Sequence, residues 1–223
     1  MKLSSDMHFV RKHILRYLMV HDTARFRDMR PSRVDSNLYA YHLKQLQKDG
    51  FVSLFDGLYT LSPGGMRYAD HLSLASTEPR WQPKIITKLV IQNSWGEVLM
   101  WPKYRQPFLG LWSLPTGKVH YEDESLRDAS LRELTFITKS PDINPMHRGV
   151  LELRASIKGE VVSHVLIHIF TLQLESNEVF HELAHWKDVT ELIPTQCSPG
   201  TLESLRLVAA NDDFFYELHS EDR

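Results

Sequence analysis

VDSNLYAYHLKQLQKDGFVSLFDGLYTL, Val34 to Leu61, holds a helix start, a helix stop and a hairpin turn in one stretch. Asp35 or Ser36 can cap a helix by accepting hydrogen bonds from its free N–H groups, and Gly50 can end it by taking the left-handed conformation. Between them Tyr39, Leu43 and Leu46 stand at i, i+4 and i+7, one face of a helix, and should meet a core. The opposite face carries Ser36, Asn37, Tyr41, Lys44 and Lys48, with His42 at its edge. After Gly50, FVSLFDGLYTL reads as two short strands around Asp56-Gly57, a dipeptide suited to a tight hairpin.

Working back from that stretch, His8 to Val20 repeats apolar residues at Ile14, Leu15 and Leu18, as a packed first helix would. A short second helix is expected around Ala24 to Met29, ended by Pro31. The exposed face of the third helix mixes amide, hydroxyl, phenol and ammonium groups, which can bond base edges and phosphates in a major groove. Over about residues 7 to 75, YHLKQLQKDGFV, the hairpin and LSPGGMRYAD resemble bacterial winged helix-turn-helix regulators. The resemblance implies double-stranded DNA as partner, a homodimer, and contacts from Ser36, Asn37, Tyr41, His42, Lys44, Lys48 and Arg33. The hairpin departs from that pattern, because it has no Lys or Arg and carries Asp56 at its tip. Phosphate contacts would then fall to the third helix and to Arg25, Arg27, Arg30 and Arg33.

Charge divides the chain in the same place. Residues 1 to 75 hold 11 Lys and Arg against 7 Asp and no Glu, whereas the remainder holds 15 basic against 21 acidic residues. A basic front favours polyanions. The segment STEPRWQP, residues 76–83, has two prolines and no period and reads as a linker. Residues 84–210 form the second domain and 211–223 a tail, frayed or docked by Phe214, Phe215 and Tyr216. With 42% hydrophobic residues and no apolar run near a membrane span, the chain suits a soluble protein. No secretory signal is recognised at the N-terminus, and the single Cys197 permits no internal disulfide; both favour the cytoplasm.

After the linker, KIITKLVIQ and VVSHVLIHIFTLQL read as strands, and Thr201 to Ala210 as a final helix. Residues 103–140, KYRQPFLGLWSLPTGKVHYEDESLRDASLRELTFITKS, resemble the signature region of Nudix hydrolases. The resemblance implies an α/β/α Nudix-like domain with a mixed sheet, so that the whole chain is α+β. Nudix enzymes cleave nucleoside diphosphate derivatives with magnesium or manganese held by glutamates of one helix. Their pattern runs Gly, five residues, Glu, seven residues, Arg-Glu, an aliphatic, one residue, Glu-Glu, one residue, Gly. Here Gly117, Glu124, Arg132-Glu133 and Leu134 take the first places, with six residues between Gly117 and Glu124. Phe136 and Ile137 stand where the Glu-Glu pair belongs, and Lys139 where the closing Gly belongs.

That change removes chemistry, because residues at i, i+3 and i+4 share a helix face and only Glu133 of the carboxylate trio remains. A lone carboxylate is a poor magnesium site, so no cofactor and no metal are expected, and Arg132 should pair with Glu124 or a neighbour. Nothing in the spacing of Glu122, Asp123, Glu152, Glu160 or Glu182 argues that they replace the missing pair. A surviving cleft could take a nucleotide-like ligand on Arg105, Trp112, Glu133, Phe136 and Ile137.

Two histidine patterns need weighing. HELAH, His181 to His185, matches the zinc protease pattern, but the segment leads into a strand at Trp186, which turns the two histidines apart. His164 and His168 lie four residues apart on a strand, about 13 Å, too far to share a metal. The expected function is a transcriptional regulator whose noncatalytic Nudix-like domain senses a nucleotide-like metabolite. The alternatives are a divergent magnesium- or manganese-dependent Nudix hydrolase using Glu133 and Glu124, and a protein-interaction module.

Overall fold

The computed structural model of the chain describes residues 7–71, 82–140, 143–210 and 214–222. They fall in two compact units, Met1–Trp81 and Gln82–Arg223. Of the linker expected at 76–83, residues 76–81 lie outside the described residues.

In the first unit, helix α1 (Phe9–Leu18) and helix α2 (Ser36–Lys48) precede a hairpin of β1 (Val52–Phe55) and β2 (Leu58–Leu61), then helix α3 (Pro63–Asp70). Asp35 caps α2 by accepting from the backbone N–H groups of Asn37 and Leu38 at 2.8 and 3.2 Å. Tyr39, Leu43 and Leu46 of α2 are buried against Val10, Ile14 and Leu15 of α1. Each such aliphatic side chain contributes about 1.5–3 kcal/mol when fully buried. The Tyr39 hydroxyl donates to the Phe26 carbonyl at 2.9 Å, so burying the ring leaves no polar atom unpaired. Asp56 and Gly57, with φ of 48° and 76°, make the hairpin turn that the dipeptide predicts.

The second helix expected at Ala24 to Met29 is absent. Ala24 instead pairs with Tyr59 through two backbone hydrogen bonds of 2.9 and 2.8 Å, and Phe26 to Met29 form a turn. Backbone groups already engaged by the hairpin cannot also enter a helical ladder, and Met29 reaches the core from the turn.

The second unit is built on one mixed sheet. Its strands are β3 (Lys84–Gln92), β4 (Val98–Pro102), β5 (Trp112–Ser113), β6 (Thr116–Lys118), β7 (Met146–Ile157), β8 (Glu160–Gln173), β9 (His185–Lys187) and β10 (Phe214–Asp222). The order is β10-β7-β8-β3-β4-β5, with β6 also on β3 and β9 on β4. The β3–β8 and β10–β7 pairings are parallel and the others antiparallel. Successive side chains of β3 enter opposite cores, as the strand period of two requires. Leu89 and Ile91 pack with Leu134 of helix α4 (Leu126–Leu134), while Val90 packs with Leu205 of helix α5 (Thr201–Ala209). The stretch expected as a tail is therefore largely an edge strand, with residues 211–213 and 223 outside the described residues. It docks through its backbone, and Phe215 and Tyr216 stay exposed. Among the described residues no helix is long and apolar enough to cross a membrane.

Candidate functional site

The second unit contains a cavity of ≈ 590 Å³, bounded by β3, the loop after β4, the loop around Gly117 and the end of α4. Its volume lies in the range of small-molecule sites. Lys84, Ile86 and Lys88 reach it from alternate positions of β3. Lys103 and Arg105 come from the loop after β4, and Lys118 from β6. Against these five cations the described lining has one carboxylate, Glu133. Trp101, Tyr104, Phe108 and Phe136 supply aromatic surface.

Lys88 sits deepest. It is almost fully buried, and its ammonium donates to the Gly200 carbonyl at 3.2 Å and to Ser204 Oγ at 3.4 Å. Burial first, then the charge of Lys103, push its pKa down to about 8 against the opposing effect of Glu203. Lys103 is also held below its ordinary value, first by burial, then by Arg105 and Lys84. The positive groups thus crowd one another, and an anion entering the cavity would relieve them. Sequence reasoning missed Lys88. The available signal was a lysine interrupting the apolar run KIITKLVIQ, which a surface strand would not need.

Arg132 organises the loop before α4. Its guanidinium donates to both carboxylate oxygens of Asp123 at 3.0 and 2.9 Å, to the Lys118 carbonyl at 2.8 Å, and to Glu133. Asp123 also accepts from the His120 backbone N–H at 2.6 Å. The Arg132 hydrogen bonds, then that of His120, hold its carboxyl near 2. Of Glu124 and its neighbours, expected to pair with Arg132, Asp123 takes this place and Glu124 is exposed. Asp123 follows Gly117 after five residues, so the extra residue of the loop lies behind the paired carboxylate rather than before it. Gly117 is fixed by close approach, since a Cβ there would run into Cγ and Cδ of Glu133.

These residues do not fit a divalent cation. Magnesium takes oxygen ligands in octahedral array, usually with more than one carboxylate. Glu133 is already bonded by Arg132, Phe136 is exposed, and Ile137 is fully buried. Among the described residues no group of three His, Cys, Asp or Glu could hold a metal ion.

Of the expected ligand residues, Arg105, Glu133 and Phe136 line the cavity and two do not. Ile137 packs with Leu89, Ile91 and Phe170 in the core beneath α4, because α4 ends at Leu134 and the chain turns inward. Trp112 lies outside the lining, with the Lys187 ammonium 4.4 Å over its ring and His185 edge-on at 5.6 Å. The HELAH segment is no helix: His181 lines the cavity beside Trp101, while His185 belongs to β9. On β8, His164 bonds Glu152 at 2.8 Å and His168 meets His147 at 3.2 Å.

In the first unit, Ser36, Asn37, Tyr41, Lys44 and Lys48 are all exposed on α2, and Arg25, Arg27, Arg30 and Arg33 are exposed nearby in sequence. Arg30 donates to Ser36 Oγ. His42 does not join them. It is buried and stacked on His8 at 3.9 Å, and burial, followed by His8 and Arg11, lowers its pKa. A neutral ring packed inside cannot reach a base edge.

No family model matches the chain, and no curated protein matches it. Solved structures similar to the chain include the NUDIX domain of Shewanella oneidensis NrtR complexed with ADP ribose, at 18% identity and a TM-score of 0.49, covering 62% of this chain and 95% of that one. The MutT NUDIX hydrolase from Burkholderia pseudomallei is 23% identical with a TM-score of 0.48, covering 57% and 99%. Shewanella oneidensis NrtR complexed with a 27mer DNA is 17% identical with a TM-score of 0.49, covering 57% of this chain and 61% of that one.

Proposed function

We propose that the protein is a DNA-binding transcriptional regulator whose second unit, Nudix-like in its loop and helix, binds a nucleotide-like anion and does not hydrolyse it. The cavity carries the proposal: five cations and four aromatic rings face one carboxylate that Arg132 already engages. Such a lining suits phosphate and a flat ring, and it lacks the ligand set for metal-activated water.

The first unit acts as a winged helix in this reading. Its exposed α2 face offers hydrogen-bonding side chains at helical spacing with Lys44 and Lys48 behind them, as entry into a major groove requires. The hairpin brings no cation, and its tip presents the exposed Phe55 beside Asp56. Phosphate contacts therefore fall to α2 and to Arg25, Arg27, Arg30 and Arg33.

The test is a titration of the full chain with duplex DNA at rising salt, with and without ADP-ribose. DNA affinity should fall steeply with salt, and ADP-ribose should bind, change that affinity and be recovered intact. Turnover of ADP-ribose that Glu133→Gln abolishes would make the protein an enzyme instead.

A further inference from the structure

The aromatic and cationic groups of the cavity are held in a definite arrangement. Lys88 is anchored on Gly200 and Ser204 at its floor, and Lys103 is half-buried beside Arg105. Arg105 and Lys84 stand close enough to Lys103 for their charges to lower its pKa. Glu133, the one carboxylate among the described residues of the lining, has its charge met by Arg132. Arg132 is in turn tied to Asp123 and to the Lys118 carbonyl, so it cannot leave Glu133 without breaking the loop.

A diphosphate brought in with magnesium would be largely neutralised before it met these lysines, and the hydrated cation would find them as like charges. A bare diphosphate would find several fixed positive charges in a partly desolvated site, where charge-assisted hydrogen bonds are strong. Resting on the reading of the cavity as a nucleotide site, we infer that Lys88, Lys103 and Arg105 hold the ligand's diphosphate directly, in the place of a metal ion. Magnesium therefore competes with the protein for its ligand. The side chains that replace the ion come from β3 and the loop after β4, away from the helix whose carboxylates are missing.

The test is calorimetric titration of the full chain with ADP-ribose and with ADP, once in EDTA and once in excess magnesium. Both probes should bind in EDTA, and excess magnesium should weaken them several-fold. Lys103→Gln and Arg105→Gln, changes at the cavity mouth, should each cost about tenfold in EDTA and flatten the magnesium effect. Lys88→Met should cost at least as much, with circular dichroism checking that it folds. Binding that needs magnesium, or that all three substitutions leave unchanged, overturns the inference while the nucleotide site stands. Failure of both probes in both buffers overturns the nucleotide reading itself.

Discussion

The two units use positive charge in opposite ways. The first spreads Arg25, Arg27, Arg30, Arg33, Lys44 and Lys48 over exposed positions, whereas the second draws Lys88 and Lys103 inward into a cavity that aromatic side chains also line. An exposed cation is screened by salt, so each one contributes little alone. Many of them together suit a polymer of phosphates, with counterion release driving association. A buried cation costs stability whenever its site is empty, yet offers a strong and positioned contact when an anion arrives. The same residue type is therefore suited to breadth in one unit and to selectivity in the other.

The largest effect expected from breaking this contrast concerns Lys88. A fall in pKa from 10.5 to about 8 on folding corresponds to a cost on the order of 3 kcal/mol while the group is charged. Because the folded pKa is the lower one, the stability is present above 10.5 and lost as pH falls through about 8. Urea denaturation should find Lys88→Met more stable than the wild type at pH 7, with the gap closing as pH rises from about 8 to 10.5. A gap that does not change with pH would show that burial sets no penalty there.

Next in size is the outward set. Reversing both Lys44 and Lys48 to glutamate should lower affinity for duplex DNA on the order of a hundredfold and reduce the salt slope. Anisotropy titrations would measure this, and ADP-ribose affinity should not move. Equal DNA binding by the variant would remove α2 from the interface.

The smallest effect sharpens the picture of the inner site. In Gly117→Ala the new methyl group meets the Glu133 side chain, which is held by Arg132 and cannot swing freely. A loss of about 1–2 kcal/mol by chemical denaturation is expected, together with weaker ADP-ribose binding and unaltered DNA binding. Full wild-type stability would mean that Glu133 has room to leave.

How much of this was legible in the sequence differs by element. Helix α2 and its hairpin could be read because cap, apolar stripe, stop and turn are all local. His42 was misplaced although the same stripe contains the answer. It lies three residues from Tyr39 and next to Leu43, inside the wider apolar face that a globular helix buries. The turn at Phe26 to Met29 depends on Ala24 pairing with Tyr59, a contact between distant residues that composition does not announce. The absence of carboxylates at Phe136 and Ile137 was plain, and of Glu124 and its neighbours, expected as partners of Arg132, the structure selects Asp123. Lys88 escaped because its meaning comes from Gly200 and Ser204, more than a hundred residues onward in the chain.

Strand β10 sets an order of events during synthesis. It runs parallel to β7 over nine paired positions, from Phe214 against Gly149 to Asp222 against Ile157. The first unit draws its contacts from within its own first seventy or so residues and can fold as they leave the ribosome. The sheet of the second unit cannot be completed until residues 214–222 have emerged. Until then β7 has one bare edge, open to pairing with another nascent chain, so the first unit matures before the second does.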